Sequence, residues 1–564
     1  MSRRPEKSPS RQTANLTICL VAGNNRADMQ TAKHSNPFRS LLTTALAAAA
    51  AVFQVGVTAS DQTSPQPRVF FKTDFETADS LSCWNGSTRL EAGYHGGRSL
   101  AVENKHEGSE PSRIASVQIP VEAMRGYLVR VTAMAKAENV TSKPNPWNGV
   151  KCMLAIETPD RKLWPQAEIG TGTFDWQRVS FTTRVPMDAT SARLVLGLEQ
   201  VKGKVWFDDV SIVAVKPPVI RMKTGPVSQP FKGHNLPRLR GAMVSPDIDA
   251  EGLRVLGRDW NANLVRWQLV RHGRQGQSIT MEEYNAWLES ELKKLDVALP
   301  LCEQNGLYVV VDLHSPPGGR VTSGGYAGSD SQLFTDKACQ KRFVEIWEHI
   351  ARRYKDSKAV WGYDLANEPV EDFVEQGCDD WQALAERAAR AIRAVDPART
   401  IIVEPASWGN PDGLSDFVPL TVSNVVYSVH MYIPHSFTHQ GVYGTGPALS
   451  YPGVIDGRHW DKAALERALR PVIEFQQTCG VHIYMGEFSA IRWAPGDSAV
   501  RYLSDLIDIF ESHGWDWSYH AFREWHGWSV EHGPDRNNTK PLLTPTDRQL
   551  LLRKWYSHNQ KPAW

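Results

Sequence analysis

Leu307-Tyr308-Val309-Val310-Val311-Asp312-Leu313-His314 is a short apolar run closed by polar residues, and an amphipathic segment, Asp336–Tyr354, follows it. The pattern then repeats. Val360-Trp361-Gly362-Tyr363-Asp364-Leu365-Ala366-Asn367-Glu368 is another short run with a polar end, and Asp380–Val395 is amphipathic after it. A buried strand followed by an amphipathic helix is the repeating unit of a parallel sheet. Working outward, Leu239–Ser245, Asn263–Trp267, Thr400–Pro405, Val425–Tyr432, His482–Phe488 and Trp515–Phe522 read as further strands. Glu282–Gln304, Asp461–Cys479, Asp497–His513 and Thr546–Ser557 read as further helices, and the pattern after the first and fifth strands is weaker. Eight units across about 325 residues predict a (β/α)8 TIM barrel over residues 238–564. A doubly wound sheet would want a glycine-rich phosphate turn after an early strand, and the sequence has none.

Upstream the period changes. Residues 69–215 carry short runs of alternating residues, such as Val129-Arg130-Val131-Thr132-Ala133, Cys152–Glu157, Trp176–Thr183 and Val205–Val215, with turn residues between them. This predicts an antiparallel β-sandwich. Residues 216–237 hold five prolines and no sustained period, and 60–68 are likewise linker-like. The linker implies few contacts between the two units. Residues 1–59 form a leader. Within it Arg39 and a basic region precede the apolar run Leu41–Phe53, and Val57-Thr58-Ala59 follows. Basic, short apolar and small-x-Ala in that order read as a signal peptide cleaved near Ala59, hence a secreted or periplasmic protein. The run is too short to span a bilayer. Translation starting at Met29 would give a more usual leader length.

Composition excludes several classes. The 564 residues carry 63 Lys+Arg against 62 Asp+Glu, a formal net charge of +1, which favours neither nucleic acid nor an anionic membrane as partner. Seven Cys are scattered without C-x-x-C spacing, and no pairing can be assigned. Twenty Trp is high, and a flat apolar ring with one donor suits cores and sugar faces alike.

A barrel carries its chemistry at the C-terminal ends of its strands. Those ends read Arg266, Asp312 and His314, Asn367-Glu368, Glu404, His430 and Tyr432, and Glu487. His430 and Tyr432 share a face, as do Asp312 and His314, being two apart on a strand. Pro369 biases Glu368 to extended backbone and helps to end its strand there. Two carboxylates on different strands suit glycoside hydrolysis, in which one protonates the leaving oxygen and the other stays ionised.

Residues 239–558 resemble glycoside hydrolase family 5. The matching motifs are Asn263-Leu264-Val265-Arg266, Val311-Asp312-Leu313-His314, Leu365-Ala366-Asn367-Glu368-Pro369, His430-Met431-Tyr432 and Met485-Gly486-Glu487-Phe488. The resemblance implies a retaining β-glycanase with Glu368 as acid/base and Glu487 as nucleophile. It places Arg266 and Tyr432 beside Glu487, Asn367 on the sugar 2-hydroxyl, and His314 and His430 in the cleft. Many members carry a Trp platform on the last strand. Here His520 falls at that place, and Trp525 or Trp528 just beyond can supply the aromatic surface. The strand Val205-Trp206-Phe207-Asp208-Asp209-Val210-Ser211-Ile212 resembles the last strand of jelly-roll carbohydrate-binding modules of families 4 and 9. In that unit Trp147 and Trp164 lie near loops and could stack on sugars, whereas Trp176 and Trp206 read as core.

The expected protein is therefore a secreted, monomeric endo-β-1,4-glucanase acting on polysaccharide or oligosaccharide, without cofactor or metal, and without a nucleic-acid or membrane partner. A β-mannanase or other β-glycanase of the same family, and a non-catalytic polysaccharide-binding barrel, are the alternatives. A metal-dependent barrel hydrolase would want an H-x-H after the first strand, which Leu239–Ser245 lacks. His430, His435 and His439 straddle a strand end and Pro434, and read as a cleft loop. The glycine-rich stretch Gly318–Gly328 lacks the ending of a phosphate loop and reads as a cleft loop too.

Overall fold

A computed structural model describes residues 68–564 apart from 87, 107–111, 146, 160–161, 219–228, 273–278, 320–330, 372–373, 376, 443 and 445. The expected leader and signal peptide, the middle of the Pro-rich segment and most of the glycine-rich stretch lie outside the described residues. Among the described residues no helix is long and apolar enough to cross a membrane.

Eight parallel strands close into a barrel. They are β1 (Arg240–Val244), β2 (Leu264–Gln268), β3 (Tyr308–Asp312), β4 (Val360–Asp364), β5 (Thr400–Val403), β6 (Val425–Met431), β7 (Ile483–Phe488) and β8 (Asp516–Phe522). Most are buried on both faces, which is why they read as continuous apolar runs instead of alternating ones. The surrounding helices include α1 (Met281–Gln304), α2 (Lys337–Tyr354), α3 (Trp381–Val395), α4 (Arg470–Cys479), α5 (Ser498–His513) and α6 (Asp547–Tyr556). Their starts are set by side chains that accept from unpaired N–H groups: Thr280 with Glu283 in a capping box, Asp336, Asp380 and Thr546. On α2, Cys339, Phe343, Ile346, Trp347 and Ile350 are buried, the three-four spacing of one helical face.

The predicted helix Asp461–Cys479 is two, Lys462–Ala468 and α4. Pro471 sits in the first turn of the second, where its missing N–H costs nothing, so the chain restarts there.

Inside the barrel the strand period of two separates two layers. Leu264, Val310, Ile402 and Val426 join Trp361 and Tyr484 in an apolar plug at the N-terminal end. Two residues further on, β2, β3 and β5 present Arg266, Asp312 and Glu404, and β6 presents His430 four after Val426. Polar groups are thus stacked directly on a dry floor.

Residues 69–216 form two antiparallel sheets over one apolar core. The six-stranded sheet contains Leu128–Val140, whose Val129, Val131, Ala133, Ala135 and Ala137 are fully buried on alternate positions. Trp206 is largely buried, with its N–H donated to Glu91. Trp176 is only half-buried and meets Tyr94 at 5.8 Å, so it lies beside the core and not within it. This unit touches the barrel. Arg184 pairs with Asp416 at 3.1 Å, Lys216 with Asp380, and Arg130 donates to the Val374 carbonyl at 3.2 Å. Those partners follow β4 and β5, so the contact is on the C-terminal face. The chain reaches the opposite face by His234, which with His482 lies against Asp516 at the start of β8, at 2.8 and 2.7 Å.

Candidate active site

Arg266 is the centre of the polar layer. It is fully buried, and the fork of its guanidinium reaches Glu487 at 2.6 Å, Asp364 and Glu404 at 3.0 Å, and Asp312 and Asn367 at 3.1 Å. A planar group with five donors serves several acceptors at once, which a lysine could not. Four carboxylates around one cation leave an excess of negative charge. Burial pushes Asp364 well above the usual carboxylate range, and Glu404 and Asp312 add to this against the pull of Arg266.

His430 relieves part of that excess. Its Nδ1 is 2.9 Å from Glu368 Oε1 and its Nε2 is 3.1 Å from Glu404 Oε1. Burial disfavours its charge, but Glu404, Glu487 and Glu368 outweigh burial and raise it well above the ordinary range, which favours the charged ring. The ring fits only because residue 486 is glycine: a Cβ there would stand 2.8 Å from Nε2.

Glu487 receives Arg266 on Oε1 and the Tyr432 hydroxyl on Oε2, the latter at 2.8 Å. His520 Nδ1 is 3.4 Å from Oε2. Burial would raise this carboxyl, yet His430, His520 and Arg266 hold it far below the usual range, so it stays ionised. Glu368 is different. Its side chain is partly open to the cleft, and its Oε1 meets His430 Nδ1 at 2.9 Å. One carboxylate oxygen of Glu368 and one of Glu487 lie within 4.8 Å of each other, with a nitrogen of His430 as the third member of the group.

The backbone at Glu368 is not extended. Its φ is 45°, in the left-handed region, and β4 ends four residues earlier at Asp364. The Glu404 carboxylate explains this, because Oε2 accepts the Glu368 N–H at 2.8 Å and turns the chain inward against the bias of Pro369. Glu404 is itself fixed by its carbonyl, which accepts the indole N–H of Trp381 at 2.7 Å.

The other expected residues also converge. His314 Nδ1 is 2.8 Å from Asp312 Oδ2, and His314, Asn367, Tyr432, His520, Trp525 and Trp528 all line one cleft with Glu368 and Glu487. His520 bonds Tyr432 and lies 3.6 Å from Glu524, so it is engaged on the Glu487 side of the cleft. On the cleft wall Trp525 is half-buried and Trp528 buried; Trp525 stands edge-on to Trp528 at 5.6 Å and to Trp493 at 5.9 Å. His435 and His439 stack on each other at 3.9 Å and line the same cleft, with His439 also against Tyr432 and Trp528. Sequence reasoning gave Glu404 no definite role and passed over Asp364 and Glu524 altogether. Asp364 has one signal, a carboxylate inside an otherwise apolar strand. Glu524, which accepts from Gln268 at 3.0 Å, has none.

Comparison with known proteins gives the following. Residues 226–524 match the model of the family described as cellulase, glycosyl hydrolase family 5. The chain is 29% identical over 259 residues to endoglucanase C of Acetivibrio thermocellus, covering 41% of this chain and 73% of that protein. It is 25% identical over 275 residues to cellodextrinase A of Ruminococcus flavefaciens, covering 47% and 76%. It is 34% identical over 215 residues to endoglucanase 3 of Fibrobacter succinogenes, covering 32% of each. Among solved structures, Thermotoga maritima Cel5A with cellobiose aligns at a TM-score of 0.44 and 23% identity, over 58% of this chain and 99% of that one.

Proposed function

Because the chain belongs to glycosyl hydrolase family 5, the cellulase family, and is a glycosidase, we propose that it is a retaining endo-β-1,4-glucanase with Glu487 as nucleophile and Glu368 as acid/base. The observation that best supports this reading is that one oxygen of each carboxylate comes within 4.8 Å of the other, a nearest-atom bound on the pair. Retaining enzymes separate the pair by about 5–5.5 Å, whereas inverting enzymes need about 6.5–9.5 Å to admit a water.

In the first step a Glu487 oxygen bonds to the anomeric carbon as the glycosidic C–O bond breaks, and the Glu368 proton passes to the departing oxygen. In the second, water attacks the glycosyl ester, Glu368 takes its proton, and Glu487 leaves as carboxylate. Arg266, Tyr432 and His520 keep the nucleophile ionised and aimed. His430 holds one Glu368 oxygen at 2.9 Å and so orients the acid/base carboxyl towards the cleft. Asn367, His314 and the Trp525–Trp528 pair bind the sugar. The names of the endoglucanase and cellodextrinase relatives favour a β-1,4-glucan over mannan within this family.

The wider organisation belongs to the same reading: a leader over 1–59, a linker over 60–68, a jelly-roll carbohydrate-binding module over 69–215, a Pro-rich linker over 216–237 and a catalytic unit over 238–564. The two antiparallel sheets and the exposed Trp147 and Trp164 support the module. The leader supports export, and N-terminal sequencing of the mature chain should find a start close to Ser60.

The mechanism is tested by NMR of the first product and by azide rescue. The β anomer should appear first. Glu368→Ala should still form the glycosyl-enzyme from a substrate with an activated leaving group, and added azide should release it as the β-azide. Glu487→Ala should form no such intermediate. An initial α anomer would overturn the assignment.

A further inference from the structure

The cleft that holds Glu368 and Glu487 does not stop at the barrel rim. It continues as one cavity of ≈ 2090 Å³, lined by Trp528, Trp408 and Trp460 of the barrel and by Thr158, Trp164 and Met187 of the β-sheet unit. That volume is about twice the roughly 1,000 Å³ of the largest ordinary small-molecule sites, and it suits an extended ligand.

Trp164 is the notable member. It follows the short edge strand Lys162–Leu163, and its backbone is held: the Leu154 N–H donates to the Pro165 carbonyl at 2.9 Å and the Ala167 N–H to the Cys152 carbonyl at 2.9 Å. Its side chain is nevertheless 60% exposed. A large flat apolar ring, presented from fixed backbone towards a polar cleft, is a platform for a sugar face. Trp147 of the same unit is equally exposed at 61%, but it is not among the residues that line the cavity. The two units are joined around this cavity by Arg184–Asp416 and Lys216–Asp380, and all four of these side chains line the cavity or flank residues that do.

We propose that Trp164 is an outlying sugar-stacking subsite of the catalytic groove, so that a glucan chain bound at Glu368 and Glu487 runs on across the junction and rests on the β-sheet unit. The inference rests on the glucanase reading. It differs from the idea of a module that binds polysaccharide apart from the active site, because the same chain occupies both.

The test uses the full-length enzyme with cellotriose and cellohexaose, and reads the ratio of kcat/KM for the long substrate to that for the short one. Trp164→Ala should lower this ratio about tenfold, equivalent to about 1.4 kcal/mol. Trp164→Phe should retain most of it, and Trp147→Ala should leave it at the wild-type value. An unchanged ratio in Trp164→Ala overturns the proposal. So does an equal fall in Trp147→Ala, which would mean a binding face separate from the groove. If the wild-type enzyme cleaves neither oligosaccharide, the glucanase reading itself fails and this ligand assignment goes with it, an outcome visible before any variant is made.

Discussion

Replacing Arg266 by Met tests the polar layer as a whole. Methionine keeps the apolar stem, in a site where Met243 Sδ already lies 3.6 Å from the guanidinium, and removes the guanidinium fork with its single charge. Four buried carboxylates, on Asp312, Asp364, Glu404 and Glu487, would lose a cation now at 2.6–3.1 Å. Removing one partner of a buried ion pair costs about 3–5 kcal/mol. In a unit of this size that is a fall in Tm on the order of 5–10 °C. The sign of the pH dependence is the sharper test. In the wild type, Glu487 is held low, so its contribution is present at neutral pH and is lost only as pH falls through its folded value. Without Arg266 the buried carboxyls shift upward, and the folded state then binds more protons than the unfolded one. Its stability falls with rising pH by about 1.4 kcal/mol per unit for each such proton. The Tm deficit of Arg266→Met relative to wild type, measured by calorimetry, should therefore be largest near neutrality and shrink on acidification towards about pH 5. A deficit that is constant, or that grows on acidification, would refute the account of Arg266 as counter-ion to this cluster.

Two further outcomes follow from the same network. Tyr432→Phe removes the donor on Glu487 Oε2 and keeps the ring contacts with His439 and Trp528, so the acidic limb of the kcat/KM–pH profile should move to higher pH. An unmoved limb would mean that the hydroxyl does not stabilise the ionised nucleophile. Glu404→Gln removes the strongest support for the His430 charge, so the alkaline limb should move to lower pH, while a profile identical to wild type would detach His430 from Glu404.

The sequence by itself determined the architecture and most of the site. Eight apolar runs, each followed by an amphipathic segment or a weaker one, leave a parallel closed sheet as the arrangement that buries both strand faces. Because a barrel presents polar groups at its strand ends, reading those ends named Arg266, His314, Glu368, His430, Tyr432 and Glu487, which the fold brings together. Cap residues such as Asp336 and Asp380 are local chemistry, accepting from N–H groups two or three positions further on. What tertiary structure decided is what depends on neighbours distant in the chain. Glu368 and Glu404 are 36 positions apart, and only their meeting turns Glu368 out of the extended backbone that Pro369 favours. Asp364 stands out as a carboxylate in an apolar strand, but its partner Arg266 is 98 positions away and is met only in the closed barrel. His520 occupies the place of a sugar platform in the linear motif, and becomes a partner of Tyr432 and Glu487 only through the closure of β6, β7 and β8. The Pro-rich segment suggested separate units, yet charges on both sides of the junction join them around a common cleft. Periodicity and capping act over a few residues and are written in order along the chain. Charge pairing and cavity shape act through space, and nothing in the order of residues records them.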